Sequence, residues 1–506
     1  MSDLHHLFSR RNRTARPRPT TLLSILMCMM LSLPVSAAWN DSIRYHGEIG
    51  IDLAGGEHTP FWMMNNEYGL SSIKKNNGYL RLGAFHDMDT TRRFTWGAGV
   101  DLAVAARFSS VFVVQQLYGE VKYRCLNLMV GQKEMPGFVS NSELGSGNLL
   151  YSGNARPIPQ VRAGIFDYAD IWFTNKWVGI KGYIAYGKFT DNRWLKSWVN
   201  PDSKYTLNTL YHSKALFLRG GNRKKFPLEF EIGLEMSTQF GGDVYNYPKK
   251  GDIFKMPRGW KNWVKALIPM KGGSDTAPSD QANVEGNFLG SWNFSLGWMP
   301  ADKDWSVRLY YEHFFEDHSM LWIQYPWKDG LYAVEAKFPK NRWVSEAVYE
   351  FLYTKDQSGP VYWDHTPEIN EQVSGRDNYY NNYCYNGWQS WGMGIGNPLI
   401  ISPIYNNHRM GFLCNRVVAH HLGLKGEPSE QVNYRLLLSH TRGWGTHGSP
   451  YNDVKSNFSM LAEVNWQPKR FKGWELGAGV AMDAGSLIGN SYGLQLKLSK
   501  TGWFLK

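Results

Sequence analysis

Ser491-Tyr-Gly-Leu-Gln-Leu-Lys-Leu-Ser-Lys500 decides how the chain reads. Tyr492, Leu494, Leu496 and Leu498 alternate with Gly493, Gln495 and Lys497, and strict alternation sends the two sets to opposite faces of a sheet. Working back from there, Trp474 to Ala484 and Ser456 to Trp466 keep much the same two-residue beat. Strand-like runs recur upstream, beginning at 43–54 and 79–88 and including 166–175, 226–240, 284–298 and 408–424. They number about eighteen. Recurrent amphipathic segments of about ten residues, ringed with Tyr and Trp, are the signature of a membrane-spanning barrel. The expected fold is all-β: a transmembrane antiparallel β-barrel of about 18 strands with long extracellular loops, some folded into the lumen.

The totals agree. Of 506 residues, 15 % are aromatic, with 22 Trp and 28 Tyr, an abundance suited to two interfacial girdles. Mean hydropathy is −0.42, which excludes a bundle of membrane helices but suits a barrel with a polar interior. The connections also sort into two kinds. Short turns at Gly220–Arg223, Pro300–Asp302, Pro339–Asn341, Gly426–Ser429 and Pro468–Gly473 lie on one side. Long connections at 55–78, 133–165, 190–211, 241–283, 317–329 and 355–407 lie on the other. Short periplasmic turns facing long external loops are the asymmetry such barrels show. Of the long connections, 133–165 and 355–407 are rich in Gly, Asn and aromatics and short of charge, which predicts that they fold inward.

Residues 1–37 read as a signal peptide, with Arg10, Arg11, Arg13, Arg16 and Arg18 before the apolar run Leu22 to Leu33 and Val35-Ser36-Ala37 at the cleavage site. Residues 38–506 then form the barrel domain. Removing five Arg and one Asp lowers the net charge from +11 to +7, a balance suited either to an acidic partner or to ordinary solubility. The remaining Cys125, Cys384 and Cys414 read as packing residues.

Catalytic patterns are wanting. His420-His421 and Ser439-His440 are neighbours in strands, so their side chains diverge. Asp317-His318 and Asp364-His365 read as loop polarity, because adjacency in sequence is not the pairing a general base needs. No catalytic residue, metal or cofactor is expected, and the chain is not read as an enzyme.

Two loops carry more. Residues 376–391 interleave six aromatics with Asn and Gln. Such rings can stack on sugar C–H faces while amides pair with hydroxyls; the same loop can equally pack on itself in the lumen. Tyr379, Tyr380, Trp388 and Trp391 are the stacking candidates. Residues 249–271 hold seven cations against Asp252. Of these Lys249, Lys250, Arg258 and Lys261 are candidates for the carboxylates of an acidic glycan, or for lipopolysaccharide phosphates.

Thr59-Pro-Phe-Trp-Met-Met-Asn-Asn66, Val121 to Lys133, Gly153-Asn-Ala-Arg-Pro157, Phe240-Gly-Gly-Asp243, and Asp377-Asn-Tyr-Tyr380 through Gly394-Ile-Gly-Asn-Pro398 together resemble the capsule assembly Wzi family. The resemblance implies a surface lectin barrel that attaches capsular or exopolysaccharide, with acidic capsular polysaccharide, outer-membrane lipids and lipopolysaccharide, and the outer-membrane assembly machinery as partners, and no nucleic acid. Enteric members carry a helical segment before the barrel, whereas here a strand begins at Arg44, so no periplasmic helical plug is expected. The alternative is a porin or oligosaccharide uptake channel; an outer-membrane hydrolase ranks third. The expected location is the cell outer membrane.

Overall fold

The computed structural model describes residues 43–504 except 90, 278–279, 282–283, 317–327 and 363–372. The 1–37 leader and the Asp317-His318 and Asp364-His365 pairs lie outside the described residues. Eighteen antiparallel strands form one sheet whose first and last members pair. They are β1 (Ile43–Gly56), β2 (Asn77–His86), β3 (Phe94–Ala106), β4 (Phe112–Tyr123), β5 (Leu126–Gln132) and β6 (Gln160–Asp170). Next come β7 (Val178–Lys188), β8 (Leu210–Gly221), β9 (Leu228–Phe240), β10 (Asn287–Trp298), β11 (Ser306–Glu316) and β12 (Gly330–Lys337). The circuit ends with β13 (Glu346–Tyr353), β14 (Val417–Ser429), β15 (Val432–Gly445), β16 (Pro450–Trp466), β17 (Trp474–Gly485) and β18 (Ser491–Trp503). Closure runs from Arg44 opposite Trp503 to Gly56 opposite Ser491. It satisfies every edge, as hydrocarbon requires of a spanning sheet.

The stretch that decided the reading behaves as its alternation demands. Tyr492, Leu494, Leu496 and Leu498 are exposed on the outer face. Gln495 points inward and donates to Asp52 Oδ1 at 2.9 Å, and Lys497 reaches Glu67 at 3.1 Å. Around the wall, Leu82, Val100, Leu117, Leu128, Leu216 and Leu296 face out, while Asp101, Gln116, Glu235, Glu312, Glu350 and His421 are buried. This inverted polarity is what a barrel in lipid needs.

Two strands sit elsewhere than expected. The run at 166–175 is centred on Gln160–Asp170 instead. Trp172–Thr174 form a turn of 3-10 helix followed by Asn175 and Lys176 at positive φ, so those aromatics crown the rim and do not extend the strand. The run at 408–424 becomes Val417–Ser429. The expected turn Gly426–Ser429 belongs to this strand, with a register shift absorbing the extra residue, and Glu430-Gln431 make the turn.

The lumen is occupied. Of the connections expected to fold inward, 133–165 and 355–407, residues 133–159 and 377–416 do so, and 57–76, within the external connection expected at 55–78, folds inward as well. In the last, α1 (Phe61–Met64) is wholly buried and packs on β16 and β17. Asp483 of the wall accepts the Phe61 amide at 2.8 Å, and Trp62 Nε1 donates to Ser439 Oγ at 3.1 Å. The Glu312 carboxylate accepts the Leu149 and Leu150 amides at 2.6 and 3.1 Å, and Glu350 accepts that of Ser146 at 2.6 Å. Inward carboxylates thus satisfy backbone that the apolar plug would otherwise leave orphaned, at roughly 1.5–3 kcal/mol per charge-assisted bond. The segments also bind each other: Tyr68 N donates to Gly153 O at 2.6 Å, Asn154 Nδ2 to Gly394 O at 2.9 Å, and Asn397 Nδ2 to Ser146 Oγ at 2.8 Å. Gly396 allows the closest approach, because a Cβ there would overlap the Leu149 carbonyl.

Candidate functional site

The sequence-predicted aromatics divide. Tyr379, Tyr380 and Trp388 are 0 % exposed, which corrects their assignment as stacking platforms: a ring without a free face cannot receive a sugar. Each instead locks the plug. Tyr379 Oη donates to Asp329 Oδ2 at 3.1 Å, Tyr380 Oη to the Leu149 carbonyl, and Trp388 Nε1 to the Leu150 carbonyl at 2.7 Å. Phe314 meets both tyrosines edge-on. These are core residues that happen to lie in a loop.

Trp391 alone reaches the external face. It sits in the left-handed region, φ +56°, a conformation a bulky residue holds only when its surroundings enforce it. The enforcing group is buried Asp191, which accepts the Trp391 amide at 3.3 Å and the Gln389 side chain at 3.4 Å. The Arg156 guanidinium lies 4.2 Å from the indole centroid, an attraction of about 0.5–2 kcal/mol. Beside it α2 (Asn192–Trp198) presents Trp194 and Trp198 at i and i+4, stacked with centroids 5.0 Å apart. Trp194 is 6.5 Å from Trp391, and His408 is 5.2 Å from Trp198. Trp194, Trp198, Trp391 and His408 line a cavity of about 440 Å³ at the long-loop end of the barrel.

Ile73, Lys74 and Asn407 are shared with a second cavity of about 810 Å³. Lys74, Lys75 and Arg107 line it, with Glu57 the one acid among its described lining residues. Lys74 and Arg107 are exposed, and neither makes an ion pair among the described residues. The two cavities adjoin across Ile73, Lys74 and Asn407 and are treated together as a cleft with an aromatic end and a basic end. Sequence reading missed Trp194, Trp198, Lys74, Lys75 and Arg107. The available signals were the Trp-x-x-x-Trp spacing at 194–198 and the adjacent lysines at 74–75.

The predicted cations are elsewhere. Lys249, Lys250, Arg258 and Lys261 do not line this cleft. Lys250 pairs with Asp202 at 2.9 Å and Arg258 with Asp243 at 2.5 Å, while Lys249 and Lys261 are exposed. Lys261 lies on a helix held against the outside of the wall, whereas Lys249, Lys250 and Arg258 flank a hairpin that pairs with 205–207 and packs on Cys384 and Tyr385.

His420 and His421 diverge as expected, but the sheet brings His421 to Ser439, 2.8 Å from Nδ1 to Oγ. His421 Nε2 lies 2.7 Å from the Leu144 carbonyl, which only accepts, so Nε2 carries the proton and Nδ1 receives the Ser439 hydroxyl. Both side chains are buried beneath Trp62, and the pair holds the plug to the wall.

Burial pushes the Asp191 carboxyl up to about 6 from 3.8, against the bonds from Trp391 and Gln389. A folded value above the unfolded one means the associated stability is full below about pH 4 and is lost as pH rises through 6, by at most ~3 kcal/mol. Hydrogen-exchange protection of 191–199 and the Trp391 amide is therefore expected to increase from about pH 7.5 to about pH 5, and Asp191→Asn to flatten that response. A wild-type profile independent of pH would refute the assignment.

The chain resembles Wzi of Escherichia coli, an outer-membrane protein involved in group 1 capsule assembly and described as a carbohydrate-binding β-barrel. Identity is 13 %, coverage 96 % of this chain and 89 % of that one, and the TM-score 0.54. OccK5 (OpdH) and OprD of Pseudomonas aeruginosa are each 9 % identical over 92 % of this chain, covering 99 % and 96 % of theirs, with TM-scores of 0.45 and 0.44. No protein-family model and no curated protein matches the sequence. At these identities the likeness is one of fold: a Wzi-like outer-membrane β-barrel, which places the chain in the outer membrane.

Proposed function

We propose that this protein is a non-enzymatic barrel of the Wzi type that holds a surface polysaccharide, capsular or exopolysaccharide, at the external face. The observation carrying the reading is the cleft, where the Trp198 and Trp391 rings adjoin Lys74 and Arg107 above a lumen filled by residues 57–76, 133–159 and 377–416. Flat rings stack on pyranose C–H faces, and cations beside them favour an acidic repeat such as a uronate. A shallow site suffices, because a polymer offers many repeats that rebind at high effective concentration.

Two measurements on the purified full chain separate this from an uptake channel. Titration with a panel of acidic and neutral bacterial polysaccharides is expected to show binding of acidic polymers that weakens with salt, since exposed ionic contacts are screened. Planar bilayers are expected to show no porin-scale current. Open conductance without polymer binding would establish the channel instead.

A further inference from the structure

The insertion between β9 and β10 covers the lipid side of the wall with its later part, from Trp260 onward. Its helix α3 (Trp260–Leu267) turns Asn262 and Ala266 toward the barrel, where both are buried, and contacts β8 and β9. The outward-facing Tyr186 and Phe240 pack on Trp263 at 4.9 and 5.6 Å. Tyr186 Oη donates to the Trp263 carbonyl at 2.8 Å, Lys214 Nζ donates to that of Leu267, and Lys265 pairs with Glu285 at 2.7 Å. These partners lie at the long-loop ends of their strands, so the helix is pinned to the outer rim.

Apart from Trp263 at its edge, however, its apolar stripe is not used for that packing. Trp260, Val264 and Ile268 fall on one helical face and are exposed, Trp260 at 73 %. A helix resting on a protein in water would bury this stripe. Here Asn262 and Ala266, with Trp263 beside them, meet the wall and the rest of the apolar side looks away. Directly below, the outward side chains Ile184, Leu216, Leu218, Ile232 and Trp292 line an apolar groove of about 370 Å³ that ends at Lys214. Exposed Lys255, Lys261 and Lys271 lie on the same insertion.

We propose that this insertion is a docking surface for a phosphorylated glycolipid of the outer leaflet. An acyl chain lies in the groove, the Trp260–Ile268 stripe sits at the level of the headgroups, and phosphates meet Lys255, Lys261 and Lys271. Amphipathic helices with basic flanks and Trp on the apolar face bind the membrane interface in this manner, and each lysine near an anionic surface contributes about 1 kcal/mol, roughly fivefold in affinity. The surface is separate from the cleft and would stand if the polysaccharide reading failed.

The test uses the full chain in vesicles of phosphatidylcholine with or without added lipopolysaccharide, native or dephosphorylated. Native mass spectrometry counts the glycolipid retained. The wild type is expected to retain phosphorylated lipopolysaccharide. Trp260→Asn/Val264→Asn/Ile268→Asn and Lys255→Glu/Lys261→Glu/Lys271→Glu are each expected to retain at least about tenfold less, with dephosphorylation matching the charge variant. Undiminished retention by both variants, or displacement of the glycolipid by a soluble acidic polysaccharide, would overturn the proposal. Should a variant fail to fold, a nitroxide at position 260 reports its depth: faster relaxation by oxygen than by a water-soluble nickel chelate supports the proposal, and the reverse overturns it.

Discussion

Trp198→Ala/Trp391→Ala cells are expected to make polymer, insert the barrel and release the polymer into the medium. Both rings border the cleft and neither belongs to the wall, so the hydrogen-bonded circuit of β1–β18 is untouched and the protein should remain heat-resistant on gels. Rings of this kind act as anchors worth about 2 kcal/mol each, so a site lacking both binds on the order of 10²–10³-fold more weakly. Because attachment sums many such sites, the loss at the level of a whole polymer is steeper. Lys74→Glu/Arg107→Glu should weaken binding and flatten its salt dependence. Tyr380→Ala makes the discriminating control. Its ring is buried between Phe314 and Phe412, so removing it costs roughly 3–5 kcal/mol of packing and should perturb the plug. Normal cell-bound polysaccharide in both cleft variants, measured by shedding into the medium, would remove the cleft from the function.

The wall was legible because alternation is local. Leu494, Leu496 and Leu498 face lipid and Gln495 the lumen whatever the neighbouring strand holds, and each strand repeats the test. Where reading failed, a turn imitated a strand or the reverse. Trp172-Phe173 is aromatic enough for a strand and ends in the left-handed Asn175 and Lys176. Gly426-Glu-Pro-Ser429 is composed like a turn, yet a strand absorbs it through a bulge. Local composition cannot separate these cases, because the partner strand decides them.

The site was less legible for a related reason. The aromatic, amide-rich loop at 376–391 supports both readings given to it, and the structure divides it between them: Tyr379, Tyr380 and Trp388 lie inside and Trp391 outside. Burial depends on where Leu149 and Phe314 arrive, which nothing within the loop encodes. The basic segment at 249–271 divides as well. Tyr186 and Phe240 hold its helix to the outer wall, while Ile253–Met256 pairs with Gly242–Tyr245 and packs with Cys384 and Tyr385, partners that nothing within the segment encodes. Conversely, Lys74, Arg107 and Trp198 come from three different loops, and only closure of the barrel brings them to one cleft. Several motifs of the family resemblance supply contacts within the plug, where Gly153 accepts from Tyr68, Asn154 donates to Gly394 and Asn397 donates to Ser146, while Val121 to Lys133 lies mostly in the wall.

That plug yields the second large effect, expected from Glu312→Ala. The carboxylate accepts the Leu149 and Leu150 amides and the Asn148 side chain, the last at 3.1 Å. Removing it leaves three buried donors without a partner, at roughly 1–3 kcal/mol each. The wall itself loses nothing, because strand β11 keeps its backbone ladder to β10 and β12. The cost therefore falls on residues 133–159, and through Tyr380 and Trp388, which bond the Leu149 and Leu150 carbonyls, on 377–416 as well. Since an 18-strand barrel relieved of its plug is wide enough to conduct, the variant should pass current in planar bilayers where the wild type does not. Proteolysis should cut within 133–159 while the barrel stays heat-resistant. Glu312→Gln keeps one acceptor oxygen and should fall between the two. If Glu312→Ala remains closed and uncut, this wall carboxylate does not retain the plug, and the Glu350 and His421 bonds with the apolar contacts of Leu144, Leu149 and Leu150 suffice to hold it.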